Sequence, residues 1–346
     1  MARRETVSFI ETAVQPLEAG NLTVMTALPT LTLSIRSVVA EADGIVGIEL
    51  VDPEGRDLEP FTAGAHIDVH VADGIVRQYS LCNDPTEHHR YVIAVLNDPA
   101  SRGGSRALHR TARPGGRLTV SVPRNHFKLN AGATRHLLLA GGIGVTPMMA
   151  MAATLEAEGA DWHMHYCTRS PEKTAFLGRL RPLAAAGKVQ FHHDGGDPAR
   201  GLDLKSVLQD YQPGTHLYYC GPPGFMAAAA QAAVHWPAEA VHFEYFSPPA
   251  DRPAVPARVN TPFQVKIAST GDVFDVPADR TIIQVLRQNG FSVDTSCEDG
   301  FCGTCLTKYV AGEPEHRDSV LDDDDRKDFV LICCARSKTP VLVLDL

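Results

Sequence analysis

The sequence predicts a multidomain chain: an N-terminal antiparallel β-barrel, a central α/β unit with a parallel sheet, and a small C-terminal α+β unit. Three observations carry this. Short strand-like stretches, punctuated by Gly and Pro, fill the chain to about residue 130; buried-type strands alternate with helices from about 135 to 245; and the last 50 residues hold five of the eight cysteines. A length of 346 residues fits two or three domains at roughly 150 residues each.

Residues 1–28 show no clear period and read as an N-terminal extension. The barrel is assigned to 29–130. Leu31, Leu33 and Ile35 alternate with polar residues, as do Ile67, Val69 and Val71, and further strands are expected at Tyr91–Leu96 and Leu118–Val122. Turns such as Asp52-Pro53-Glu54-Gly55 and Arg113-Pro114-Gly115-Gly116 separate such stretches, a spacing that suits a small antiparallel barrel.

The α/β unit is assigned to 131–247. His136–Ala140 is an apolar run that enters Gly141-Gly142-Ile143-Gly144, after which Thr146 and Pro147 read as N-cap and N1 of a helix to about Glu158. Strands are expected near 162–168, 188–193, 216–220 and 240–245, and helices near 174–186, 204–211 and 223–235. This alternation implies a parallel sheet. Four prolines between Ser247 and Pro256 make a semi-rigid linker, assigned to 248–261. The last unit, 262–346, holds a hairpin (Phe263–Ala268 with Val273–Val276), a short helix Thr281–Gln288 ended by Gly290, a Cys-rich loop and a closing strand Val341–Leu344. Asp322–Asp325 reads as a solvated turn or helix start.

The charge balance, 32 Lys and Arg against 41 Asp and Glu, argues against nucleic acid or an anionic membrane as the main partner. No apolar run approaches the roughly 20 residues that span a bilayer. The opening Met1-Ala2-Arg3-Arg4-Glu5-Thr6 leads into no apolar signal core, and a cytoplasmic location is the expectation.

In such a chain clustered thiols read as metal ligands before disulfides. Cys297-x4-Cys302-x2-Cys305, with Cys333 a further 28 positions on, is the plant-type [2Fe–2S] spacing. Gly300 and Gly303 let the loop wrap closely and aim amides at sulfur. The plain alternative is structural zinc, which favours two Cys-x2–4-Cys knuckles, whereas the second half here offers only adjacent Cys333-Cys334. Either of those two could be the fourth ligand.

Two further segments suggest bound nucleotides. The turn containing Gly142, Gly144 and Thr146 lies between strand and helix, where backbone can approach a pyrophosphate and a helix amino end favours its charge. It lacks the full G-x-G-x-x-G pattern, and a tight strand–helix turn is the plain alternative. Thr168 and Arg169 fall at the end of the next strand, where riboses lie; Cys220, Gly221 and Phe225 fall at the end of a later one. Arg169 reads equally as a 2′-phosphate ligand, a pyrophosphate contact or a surface charge. In the barrel, Arg77, Tyr79 and Ser80 form R-x-Y-S: an arginine for phosphate, a ring to stack on an isoalloxazine, a hydroxyl for flavin N5 or phosphate. Arg102, Gly103, Gly104 and Ser105 make a second glycine-rich phosphate cradle.

Arg77–Ser80, Gly142–Pro147, Cys220–Met226 and the Cys297–Cys333 set occur in that order, and over about residues 30–346 the chain resembles the phthalate dioxygenase reductase family, which includes vanillate demethylase reductases. The resemblance implies a flavin barrel, a nicotinamide domain and a C-terminal plant-type ferredoxin domain, with FMN rather than FAD and NADH rather than NADPH. It implies that Arg77, Tyr79 and Ser80 hold the flavin, that Gly103, Gly104 and Ser105 match the family's cradle, and that Cys333, followed by Cys334-Ala335-Arg336-Ser337, is the fourth cluster ligand. It makes a reach of Glu244-Tyr245-Phe246 back to flavin or nicotinamide plausible; packing before the linker is the alternative.

The expected activity is hydride transfer from NADH to FMN, then single electrons through the cluster to a terminal oxygenase, by resemblance a Rieske-type one. Plant-type clusters lie near about −400 mV, low enough to feed most oxygenase centres. No acid–base side chain need carry this chemistry. His66, His70, His192 and His193 are read as surface or core-edge residues before metal ligands. The alternatives are a cytochrome or diiron-hydroxylase acceptor, and a non-catalytic redox sensor.

Overall fold

The computed structural model describes residues 30–72, 75–99, 103–247, 260–291, 293, 295, 297–300, 303–318, 320–321 and 323–346. The extension 1–28, the proline-rich stretch from 248 to 259, Arg102 and Cys302 lie outside the described residues.

The first unit comprises β1 (Thr30–Ala42), β2 (Ile45–Val51), β3 (His66–Ala72), β4 (Ile75–Ser80), β5 (Tyr91–Leu96), α1 (Gly104–Thr111) and β6 (Arg117–Ser121). They form one antiparallel sheet in the order β4-β3-β6-β1-β2-β5. Its two edges meet where Leu81, just past β4, bridges Ile93 on β5, so the sheet curls into a barrel. The alternation read from the sequence reflects this curl: Leu33, Ile35, Ile67 and Val69 all point into the core.

The second unit runs β7 (Arg135–Gly141), α2 (Val145–Ala157), β8 (Trp162–Thr168), α3 (Leu177–Ala185), β9 (Val189–His193), α4 (Leu204–Leu208), β10 (Thr215–Cys220), α5 (Pro223–Ala232) and β11 (Val241–Glu244). All pairings are parallel, in the order β11-β10-β7-β8-β9. The chain builds outward from β7 through β9 and then crosses to lay β10 on the other side of β7. That reversal opens a crevice beyond the strand ends, where ligands of open α/β sheets bind. Several boundaries differ from the sequence reading: α4 ends at Leu208 rather than near 211 and α5 at Ala232 rather than near 235, and two further differences have a visible cause. Helix α3 starts at Leu177 because Phe176 takes a left-handed φ of 60°. The N-cap of α2 is Gly144, not Thr146, because a short 3-10 turn over Gly142–Gly144 winds the chain early. Thr146 lies inside the first turn, its hydroxyl donating to the Ile143 carbonyl at 2.9 Å.

Barrel and α/β unit share one continuous apolar core. Leu50, Ile67 and Phe127 belong to the same cluster as Leu138, Met148, Met151 and Tyr166. The opposite face of the parallel sheet has its own core of Leu137, Leu139, Leu217, Met226 and Trp236.

The third unit contains β12 (Phe263–Ile267), β13 (Val273–Val276), α6 (Ile282–Gln288), β14 (Leu306–Ala311), β15 (Pro314–Glu315), β16 (Phe329–Leu331), β17 (Arg336–Ser337) and β18 (Val341–Leu344). Its main sheet, β13-β12-β18-β14-β16, is antiparallel except for the β12–β18 pair. Thr281 and Gln284 close a capping box at the start of α6. Among the described residues the apolar core here is separate from the other two. Among the described residues no helix is long and apolar enough to cross a membrane.

Arg336 ties this unit together. It is 5% exposed, its guanidinium donates to the carbonyls of Arg280 at 2.8 Å, Thr261 at 3.0 Å and Pro277 at 3.0 Å, and it stacks over Phe263. A lysine cannot reproduce that planar fork. Arg336→Lys is expected to destabilise the unit by about 2 kcal/mol, the scale of buried bonds to a charged donor. Urea unfolding followed by far-UV circular dichroism would measure it.

Candidate active site

At the sheet crossover the turns after β7 and β10 touch backbone to backbone. A Cβ on Gly144 would sit 2.1 Å from the Cys220 carbonyl oxygen, and one on Gly221 would sit 2.7 Å from the Phe225 ring and 3.0 Å from the Gly141 Cα. Gly144 and Gly221 are therefore required by packing, and the half-buried Phe225 is the wedge between them. Gly142 differs. Its φ is +54° and a Cβ there would meet nothing within 4 Å, so its open side borders the crevice in front of α2.

The Cys220 thiol is fully buried at this crossing. Burial first, and then the Glu244 carboxylate, push its pKa well above the ordinary thiol value, which keeps it neutral. The Thr168 hydroxyl is spent within the fold, with Thr174 Oγ1 at 2.8 Å and His193 Nδ1 at 2.9 Å. Arg169 is exposed and has no side-chain partner among the described residues. Phe246 is 40% exposed just past β11.

On the barrel, β4 carries Arg77, Gln78, Tyr79 and Ser80. Arg77 crosses the start of α1: a Cβ on Gly104 would lie 2.6 Å from Arg77 Cγ. Gly103, with φ +102°, begins that helix and offers no capping side chain, and no acidic residue lies in the first turn. Ser105 Oγ is a buried atom without a hydrogen-bond partner among the described residues. A guanidinium, a helix amino end whose N-cap residue is a glycine and a hydroxyl without a partner among the described residues suit a phosphate. Tyr79 is half-buried against the barrel core, and burial raises its hydroxyl pKa.

The barrel and α/β sites meet through one carboxylate. Ser80 Oγ donates to Glu244 Oε2 at 3.4 Å, and His66 Nδ1 lies 3.5 Å from Glu244 Oε1. Gln78 Nε2 is 3.1 Å from His66 Nε2. The other histidines weighed as ligands also have partners within the fold or lie on a strand: His192 Nε2 is 3.0 Å from His165 Nδ1, His193 meets Thr168, and His70 pairs with Val76 across β3 and β4.

In the C-terminal unit Cys297, Cys305 and Cys333 are each 2–3% exposed. The Asp299 amide donates to Cys297 Sγ at 3.4 Å. Gly300 and Gly303 take left-handed φ values, and a Cβ on Gly300 would lie 2.5 Å from Cys334 Sγ. Cys334 packs on the loop half-buried. Among the described residues no three His, Cys, Asp or Glu side chains are set as a metal cage, and Cys302 lies outside them. The donor set of buried thiols, soft ligands on a glycine-turned loop, fits an iron–sulfur cluster.

The sequence reading did not find Asp68, Gln78 and Thr304. The Gln78 amide donates to Thr304 Oγ1 at 3.3 Å, and Thr304 Oγ1 donates to Asp68 Oδ1 at 3.4 Å. The one signal was position: Gln78 lies inside R-x-Y-S, and Thr304 adjoins Cys305.

Comparison with known proteins agrees with this layout. A family model described as a 2Fe-2S iron-sulfur cluster binding domain matches residues 265–338, and the N-terminal domain of a dimethylamine monooxygenase subunit DmmA-like family matches 118–240. The tert-butanol monooxygenase / tert-amyl alcohol desaturase reductase subunit of Aquincola tertiaricarbonis is 51% identical over 323 residues, 91% of this chain and 96% of that one. The solved phthalate dioxygenase reductase, described as a modular structure for electron transfer from pyridine nucleotides to [2Fe-2S], is 44% identical, covers 92% of this chain and 98% of its own, and superposes with a TM-score of 0.67. The chain belongs to the phthalate dioxygenase reductase family. An intact type IV self-sufficient cytochrome P450 monooxygenase, 37% identical, covers 92% of this chain and 41% of its own with a TM-score of 0.81.

Family membership leaves the histidines of the parallel sheet to be explained by stability. Burial, with His163 and His192 adding to it, holds the His165 pKa down to about 4. An unfolded chain takes up that proton near 6.5, so stability is full above pH 6.5 and falls as pH drops toward 4. His165→Gln is expected to flatten that fall, read as thermal midpoint against pH.

Proposed function

We propose that the chain is the NADH-dependent reductase component of an oxygenase system, carrying FMN and a [2Fe–2S] cluster and serving a Rieske-type terminal oxygenase in the cytoplasm. The observation that carries this reading is the convergence on β4: Arg77 reaches the α1 cradle, Ser80 reaches Glu244 at the end of the parallel sheet, and Gln78 reaches the cysteine loop. The reading takes the units as 29–130, 131–247 and 262–346, joined by a linker at 248–261. The cytoplasmic setting accords with the free cysteines among the described residues.

When bound, these groups supply hydride donation, a change from electron pairs to single electrons, and one-electron relay. The chain's own residues do the rest. Arg77, Arg102, Ser105 and the amides at Gly103 and Gly104 would hold the FMN phosphate, with Tyr79 beside its ring. Ser80 Oγ, donating to Glu244 Oε2, keeps its proton at the buried junction of the barrel with the end of the parallel sheet. The open side of Gly142, the amino end of α2 and the Cys220–Gly221 turn would receive the pyridine nucleotide, with Thr168, Arg169, Phe225 and Phe246 around it. The neutral Cys220 thiol adds no charge there. Cys297, Cys302, Cys305 and Cys333 would hold the irons.

The likeness to the P450 monooxygenase supports a second acceptor, a cytochrome, which parallel assays with cytochrome c and Rieske oxygenases would separate. Anaerobic NADH titration is expected to bleach flavin and cluster absorbance together and to produce a reduced [2Fe–2S] paramagnetic signal. Cys302→Ser is expected to remove that signal while NADH still bleaches the flavin. Failure of NADH to bleach the wild-type flavin would leave the redox-sensor reading.

A further inference from the structure

The C-terminal unit meets the barrel differently from the way the barrel meets the α/β unit. Among the described residues it shares no apolar cluster with either neighbour. At the described junction the cysteine loop instead rests on a polar relay. Gln78 Nε2 donates to Thr304 Oγ1 at 3.3 Å, Thr304 donates to Asp68 Oδ1 at 3.4 Å, and Arg124 Nη2 donates to Asp68 Oδ2 at 2.8 Å. Asp68 is 2% exposed although it alternates with core-facing Ile67 and Val69, so it lies on the outer side of the barrel. Thr304 is itself buried. Beside it the loop comes so close that a Cβ on Gly303 would lie 3.2 Å from His126 Nε2.

We infer that Thr304 is the positioning residue that seats the cluster loop on β4 for the internal electron step. Thr304 adjoins Cys305, and Gln78 adjoins Arg77 and Tyr79. The relay therefore fixes one end of the cluster loop against the strand assigned to the flavin. The two described Thr304 contacts are longer than the usual N–H···O and O–H···O distances, so each alone is a weak tie between the loop and the barrel. The step it serves balances as NADH plus two oxidised clusters giving NAD+, one proton and two reduced clusters, so each NADH needs two one-electron passes. The inference rests on the reductase reading proposed above, but addresses only the second step of that sequence.

The test compares Thr304→Val and Thr304→Ser holoenzymes with wild type in anaerobic stopped-flow. In Thr304→Val, NADH is expected to bleach the flavin at the wild-type rate while cluster reduction slows on the order of tenfold, the sensitivity of a positioned reaction to a small displacement. The paramagnetic signal at full reduction stays unchanged, and amide hydrogen exchange across residues 303–309 rises. Thr304→Ser, which keeps the hydroxyl, restores both. Gln78→Leu removes the same bond from the barrel side and slows cluster reduction with the cluster retained; it decides the matter if Thr304→Val loses its cluster. Cluster reduction at the wild-type rate in Thr304→Val, equal slowing of both steps, or no rescue by serine would overturn the inference. A wild-type flavin that NADH does not bleach would instead refute the reductase reading, and the exchange comparison would still test the seat.

Discussion

The period-two geometry of a single edge strand is the constraint on which this molecule turns. Side chains alternate along β4, so Arg77 and Tyr79 face one way and Gln78 and Ser80 the other. Cross-strand register places His66 opposite Ser80 and Asp68 opposite Gln78. One side of the ribbon thus reaches the helix cradle at Gly103–Ser105. The other presents a polar row that meets Glu244 at its end and Thr304 further along. Shifting the register by one residue would turn every one of these groups away from its partner.

Two kinds of physics then join the units. Between barrel and parallel sheet the junction is apolar and continuous, from Ile67 and Phe127 to Met151 and Tyr166. Interiors packed this way resist displacement, which suits two sites that must keep a fixed spacing. Between barrel and cysteine loop the described contacts are hydrogen bonds around Asp68 and a close approach at Gly303. Such contacts are individually modest in net strength because water competes for the same groups. Among the described residues, then, barrel and α/β unit share an apolar core, whereas the third unit meets the barrel through polar groups.

The crossover of the parallel sheet adds a separate restriction. The turns after β7 and β10 leave no volume for side chains at Gly144 and Gly221, whereas Gly142 faces open space. Glycines that look alike in the sequence thus do different work: two allow backbone to meet backbone, and one supplies a left-handed turn beside the crevice.

The sequence by itself determined what depends on neighbours along the chain. Alternation at Leu31–Ile35 and Ile67–Val71, the strands Tyr91–Leu96 and 162–168, the helix read as Thr281–Gln288 and found at Ile282–Gln288, and the closing strand Val341–Leu344 were all legible, because strand and helix periods are written in consecutive residues. So was the cysteine spacing, since one loop holds three of the proposed ligands. Only the tertiary structure decided what depends on residues brought together from afar: that Gly144 rather than Thr146 caps α2, that Thr168 spends its hydroxyl on His193 and Thr174, that Ser80 meets Glu244, and that Thr304 meets Asp68 and Gln78. Each hangs on the crossing of strands or the docking of one unit on another. A hydroxyl or a carboxylate carries no mark in the sequence of which distant partner the fold will bring within 3.5 Å of it.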